Sequence, residues 1–206
     1  MQKFLKQKNK GFTRTPKFGV TPKRGGFTLV ETLVAISIFT VSILGLLMVL
    51  SQGIADTNYA KQKIIAAYLT QEGIEYIRNM RDTFVLYDPV DSQTGWTNFK
   101  NKLTSASCQA GDGCYFDDRN LNYANPSQPM AGIAITACGS SCPYLLYDNT
   151  TGKYGYATGT NSSFIRKIQI NQISADEIKI SSAVYWTQGS GNYNVIFSES
   201  LFNWIQ

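Results

Sequence analysis

The 206-residue sequence has no histidine. That removes Ser-His and Cys-His catalysis, His-ligated zinc and the commonest general base near neutral pH. There is no phosphate-binding glycine loop, no G-x-S-x-G turn and no paired-metal pattern. Asp117 and Asp118 are adjacent, so in an extended chain their carboxyl groups point apart and make a poor acid/base couple. No enzyme and no cofactor is expected. Two further absences concern the backbone. No proline occurs from Phe27 until Pro89, and no turn cluster interrupts that stretch. A helix can therefore run through it unbroken. Finally, no charge occurs from Thr32 to Ala55, a run of 24 residues.

The charge that is present is unevenly placed. Residues 1–26 carry Lys3, Lys6, Lys8, Lys10, Arg14, Lys17, Lys23 and Arg24 and no acid. The remaining eleven basic residues face fourteen acidic ones, so residues 27–206 carry a formal charge of −3 although the whole chain carries +5. The basic pI thus reflects one end, and no nucleic-acid partner is expected. Beside an apolar run, a basic arm reads as a cytoplasmic retention signal.

A membrane-spanning helix needs about 20 apolar residues, and the run from Thr32 to Ala55 supplies them. Basic residues cluster before it, and only Lys61 and Lys63 follow closely. The N-terminus is therefore expected in the cytoplasm, with everything after residue 55 outside. A secretory signal peptide cut after Ala55 is the rival, but signal h-regions span only about 7–15 residues. Ser37, Thr40, Ser42 and Gly45 dilute the apolar run as small and hydroxyl residues do where helices pack in lipid.

Beyond the apolar run, Ile65, Leu69, Tyr76, Ile77, Met80 and Phe84 recur at helical spacing, with Gly73 holding the matching place between. One amphipathic helix is expected from Phe27 to about Asp82, roughly 80 Å at 1.5 Å per residue. Glu75/Arg78 and Arg78/Asp82 are spaced to pair along it. Asp88-Pro89 reads as a stop.

From Asp88 to Ser163 the composition turns to Gly, Ser, Asn, Asp and Thr. A short helix is expected from Gly95 to Leu103, and short strands at Gly132–Ala137 and Tyr144–Tyr147. All four cysteines, Cys108, Cys114, Cys138 and Cys142, fall here. An extracytoplasmic side permits disulfides, with three possible connectivities. Local pairing needs the least, and a cross-linked pair of loops is the other option. A four-thiolate zinc site matches the spacings poorly. Asp112, Asp117 and Asp118 do not fit a calcium-loop spacing and read as a solvated acidic stretch.

The last segment alternates: Phe164–Ile173 with Ile165, Ile168, Ile170 and Ile173, then Glu177–Trp186, then Tyr193, Val195 and Phe197 on one face. Short turns separate these runs, which predicts a three-stranded antiparallel meander covering the helix stripe. Trp204-Ile205 at the end suggests packed rather than frayed residues. The fold class is α+β.

The segment RGGFTLVE resembles the processing site of type IV pilins and type II secretion pseudopilins. There a basic leader ends in glycine, a methylatable residue follows and a glutamate lies four residues further. Gly26, Phe27 and Glu31 hold those places, with Thr28 and Leu29 also as in the family. The resemblance implies cleavage between Gly26 and Phe27, N-methylation of Phe27, and pairing of Glu31 with the new amino group on a neighbouring subunit. It implies a leader over 1–26, a transmembrane half-helix over 27–55, an amphipathic half over 56–87, a cysteine-bearing connection over 88–163 and a sheet over 164–206. The segment AAYLTQEGIEYIRN and the terminal SLFNW resemble minor members. The implied function is a structural subunit of a type IV pilus or secretion pseudopilus in the inner membrane. Its implied partners are other pilin subunits, a prepilin peptidase, the inner-membrane assembly platform and membrane lipid. A membrane-anchored binding domain outside any filament is the alternative.

Overall fold

A computed structural model describes residues 25–109, 111–117 and 134–204. Most of the leader, Asp118, the first two residues of the expected Gly132–Ala137 strand and Ile205 lie outside the described residues. The chain divides after Leu50 into two units, described here by themselves.

Helix α1 is Leu29–Tyr87. It starts two residues after Phe27 and runs five residues past Asp82, ending directly before Asp88-Pro89, where proline disfavours further helix. In the first unit none of its side chains is buried. An apolar helix exposed all round is at home in lipid or against other helices, since water would penalise every one of those side chains.

The second unit contains the rest of α1, helix α2 (Ser92–Ser105) and strands β1 (Cys114–Phe116), β2 (Ile135–Ala137), β3 (Tyr144–Asp148), β4 (Lys153–Gly155), β5 (Thr160–Gln172), β6 (Glu177–Gln188) and β7 (Gly191–Phe202). The expected meander β5–β6–β7 is present, in continuous antiparallel register from Ile165↔Tyr185 and Val184↔Val195 onward. The sheet is larger than expected, however. Among the described residues it has seven strands, and the connecting region contributes four of them. A strand has only two edges, and β5 gives one wholly to β6. The other is shared by β3, through Tyr144↔Ile165, and β1, through Cys114↔Ile168. A bulge interrupts the β3–β5 ladder between Tyr144↔Ile165 and Leu146↔Asn161, where Ser163 takes a left-handed backbone (φ 63°).

The inner face of the sheet packs on α1. The buried helix stripe is Ala66, Leu69, Thr70, Gly73, Ile74, Ile77 and Met80, with Val85 near the end; Ile65, Tyr76 and Phe84 are only half-buried flanks. Gly73 marks the closest crossing. A Cβ there would lie 2.5 Å from Ser182 Oγ and 2.9 Å from Ile168 Cδ1. The core divides around this crossing. One cluster joins Ile77 and Met80 to Trp96, Phe99, Leu103, Phe116, Ile168 and Ile178. The other joins Ala66 and Leu69 to Leu145, Phe164, Val184 and Trp186.

Three expectations need correction. On β5 the inward row is Phe164, Arg166, Ile168 and Ile170, so Ile165 faces outward and a cation faces the core. The alternation is right but the phase of its first members is not, because Phe164 outweighs Ile165 as a core residue. Trp204 is 54% exposed rather than packed. On β7, Tyr193 packs on Tyr59 and Trp186, whereas Phe197 remains 41% exposed.

Candidate processing and assembly segment

Residues 25–28 precede the helix in non-helical conformation, and all are exposed. A Cβ built on Gly25 or Gly26 would meet nothing within 4 Å, and Phe27 is 79% exposed. The Gly26–Phe27 bond thus joins a conformationally free glycine to an exposed phenylalanine.

Thr28 begins the helix. Its carbonyl accepts from the Glu31 N–H (3.0 Å) and the Thr32 N–H (3.2 Å). Its hydroxyl also accepts from the Glu31 N–H, at 3.3 Å. Threonine followed three residues later by glutamate is the spacing of a capping box. The T-x-x-E spacing of Thr28 and Glu31 is the sequence signal for this role, beyond the family positions named above. Glu31 falls in the first turn, where the helix dipole favours an anion.

Four hydroxyl groups within the apolar run are satisfied internally. Thr32 donates to the Leu29 carbonyl (2.9 Å), Ser37 to Val34 (2.8 Å), Thr40 to Ser37 (2.9 Å) and Ser42 to Ile38 (2.8 Å). In a hydrocarbon solvent an unmet donor costs several kcal/mol, and these bonds remove that cost. Leu29–Tyr87 contains a window long and apolar enough to cross a membrane.

The four cysteines form two local bridges, Cys108–Cys114 and Cys138–Cys142. The first is wholly buried beside Leu103, Phe116 and Ile168, and ties the exit of α2 to β1. The second closes the turn between β2 and β3. Thiolate zinc ligation is thereby replaced by covalent pairing. The carboxylate of Asp117 accepts from the Tyr156 N–H at 3.1 Å, and Asp112 sits at an exposed turn. Among the described residues no group of three His, Cys, Asp or Glu side chains is placed to hold a metal.

Among the described residues two ion pairs join α1 to the sheet. Arg166, 2% exposed, reaches Glu72 at 3.1 Å and lies 5.3 Å over the Phe116 ring. Arg78 pairs with Glu75, as its spacing suggested, and grips Glu199 of β7 through two nitrogens at 3.2 and 2.6 Å. Hydrogen bonding to Glu199 holds the Arg78 guanidinium above its ordinary pKa. Asp82 pairs instead with Arg81.

Residues 21–47 match the family model of the prokaryotic N-terminal methylation motif, the signal of type IV pilins and pseudopilins. The match covers 27 of the 206 residues. No curated protein and no solved structure is significantly similar to the chain.

Proposed function

We propose that this chain is a structural subunit, a minor pilin or minor pseudopilin, of a type IV pilus or type II secretion pseudopilus. It is made as a precursor, and a prepilin peptidase cuts it between Gly26 and Phe27. The new amino group of Phe27 is methylated, and the subunit joins a filament through its N-terminal helix. Before assembly it stands in the inner membrane with the N-terminus in the cytoplasm and the sheet outside.

One observation carries this reading: the methylation motif is in register with an exposed scissile pair and a helix that begins immediately after it. Glu31 follows from the same register. A carboxylate inside a spanning helix costs about 2.5–3.5 kcal/mol at mid-bilayer, and such groups find partners. Cleavage creates a cation at Phe27, and methylation keeps its charge. A Glu31 carboxylate on one subunit and a Phe27 ammonium on the next remove each other's penalty and fix the stagger between helices. The chemistry at Gly26 and Phe27 is done to the chain by another protein.

The test is the mass of the N-terminal peptide of protein extracted from membranes. The expected mature start is N-methylated Phe27. A chain that retains Met1, or one that begins at Asp56, overturns the proposal.

A further inference from the structure

Asp56 is the first charge after the apolar run that ends at Ala55. In a chain anchored as proposed above, residues 51–59 therefore fall at the outer headgroup level of the bilayer. The turn between β6 and β7 rests on this part of α1: Gln188 Nε2 donates to the Ala55 carbonyl at 3.2 Å. Between helix and turn lies a groove of about 760 Å³, bordered by Ile54, Asp56 and Tyr59 on one side and Gln188, Ser190 and Tyr193 on the other.

The chemistry of this groove is specific. Tyr59 and Tyr193 lie 5.0 Å apart, centroid to centroid, and Tyr193 stacks on Trp186 at 5.6 Å. Clustered aromatic rings of this kind favour the membrane interface and attract ammonium groups to their faces. Among the described residues Asp56 is the single charged side chain bordering the groove. Lys63, whose Nζ lies 5.8 Å from the Tyr59 ring centroid, is the cation at hand beside it. Ile54 and Ala55 give the groove an apolar border.

We infer that this groove binds the headgroup of a zwitterionic, amine-bearing phospholipid of the outer leaflet. The ammonium sits between Asp56 and the tyrosine rings, the phosphate faces Lys63, and the acyl chains leave the groove past Ile54. The lipid then fixes the depth at which the β6–β7 turn meets the membrane. An anionic headgroup without an amine would meet Asp56 with a like charge. The inference rests on the membrane-anchored reading and adds a ligand to it.

The test titrates the isotope-labelled full chain, delipidated in neutral detergent, with dihexanoyl-phosphatidylethanolamine. Parallel titrations use dihexanoyl-phosphatidylglycerol and free phosphorylethanolamine. Saturable movement of the Asp56, Gly189, Ser190 and Gly191 amide resonances is expected with the ethanolamine lipid and not with the glycerol lipid. Asp56→Asn is expected to weaken it about tenfold, the value of one hydrogen bond to a charged group, and Asp56→Glu to restore it. An equal response to both lipids, or indifference to Asp56→Asn with unchanged circular dichroism, overturns the inference. Equal affinity for free phosphorylethanolamine overturns the lipid as the source. Release of the chain from membranes by alkaline carbonate overturns the anchoring itself, whereas retention with an indifferent groove overturns the lipid site alone.

Discussion

At the scale of single residues, three side chains stand where average behaviour would not put them. Arg166 belongs to a run, FIRKIQI, in which a cation is ordinarily assigned to the solvent face. It is buried because the phase of the strand is set by Phe164, Ile168 and Ile170, and the position between them must share their face. Glu72 and the Phe116 carbonyl and ring then receive the guanidinium. Arg166→Ala would remove the counter-charge from Glu72 and leave a cavity, at a cost of about 3 kcal/mol. Arg166→Met keeps the packing and should cost distinctly less, which urea unfolding of the two variants would decide. Tyr156 offers a pH test. Burial pushes its phenol up, a shift only partly opposed by Arg166. A raised pKa in the folded state contributes stability below about pH 10, the unfolded value, and loses it as pH rises further. Alkaline destabilisation should therefore be shallower in Tyr156→Phe. Glu31 lies outside the folded body, so Glu31→Ala should leave thermal unfolding unchanged and the protein in the membrane while impairing its entry into filaments. Normal incorporation of that variant would remove the pairing role.

At the scale of elements, the sequence was most legible where periodicity is long. The helix was readable because nothing from Phe27 to Asp88 breaks it, and β5 to β7 because three alternating runs are separated by Ser174-Ala175-Asp176 and Gly189-Ser190. Strand β2 falls within the expected Gly132–Ala137 run, but β1 and β4, of three residues each, carry no such signal. So short a run carries no period, and its membership in the sheet is decided by the free edge of β5 and by tertiary pairing. The spacing predicts a helix over Gly95–Leu103, but α2 begins at Ser92, because Asp91 caps it by accepting the Thr94 N–H at 2.6 Å. The same bond holds the Asp91 carboxyl below its ordinary pKa. What the sequence could not reveal is how closely α2 meets the end of α1. A Cβ on Gly95 would lie 2.2 Å from the Phe84 carbonyl oxygen, a backbone atom that cannot rotate aside. Gly95→Ala should therefore destabilise by about 1–3 kcal/mol despite alanine's better helix propensity. Calorimetry would show it as a lowered Tm, and an unchanged Tm would mean that the helices separate without cost.

At the scale of the whole molecule, the sequence separates charge and apolarity into blocks that suit different solvents. Residues 1–26 carry eight cations and no acid, the following run carries no charge after Glu31, and the remainder is mildly acidic. The cations of the first block have no acidic residue within their own segment. Their use is electrostatic and depends on where they are held. Basic residues flanking a spanning helix resist transfer across the membrane, so the block should fix the orientation of the precursor. Replacing the eight by glutamine leaves the apolar run, and hence insertion, intact, but removes the bias between the two orientations. A phosphatase fused after Trp204 should be active outside the cytoplasm in the parent chain and lose much of that activity in the substituted one. The local disulfides would report the same event independently. Cys108–Cys114 is expected to form only on the oxidising side, so inverted molecules should carry free thiols that react with maleimide once the chain is unfolded. Undiminished phosphatase activity together with fully bridged cysteines would show that the apolar run alone sets the orientation.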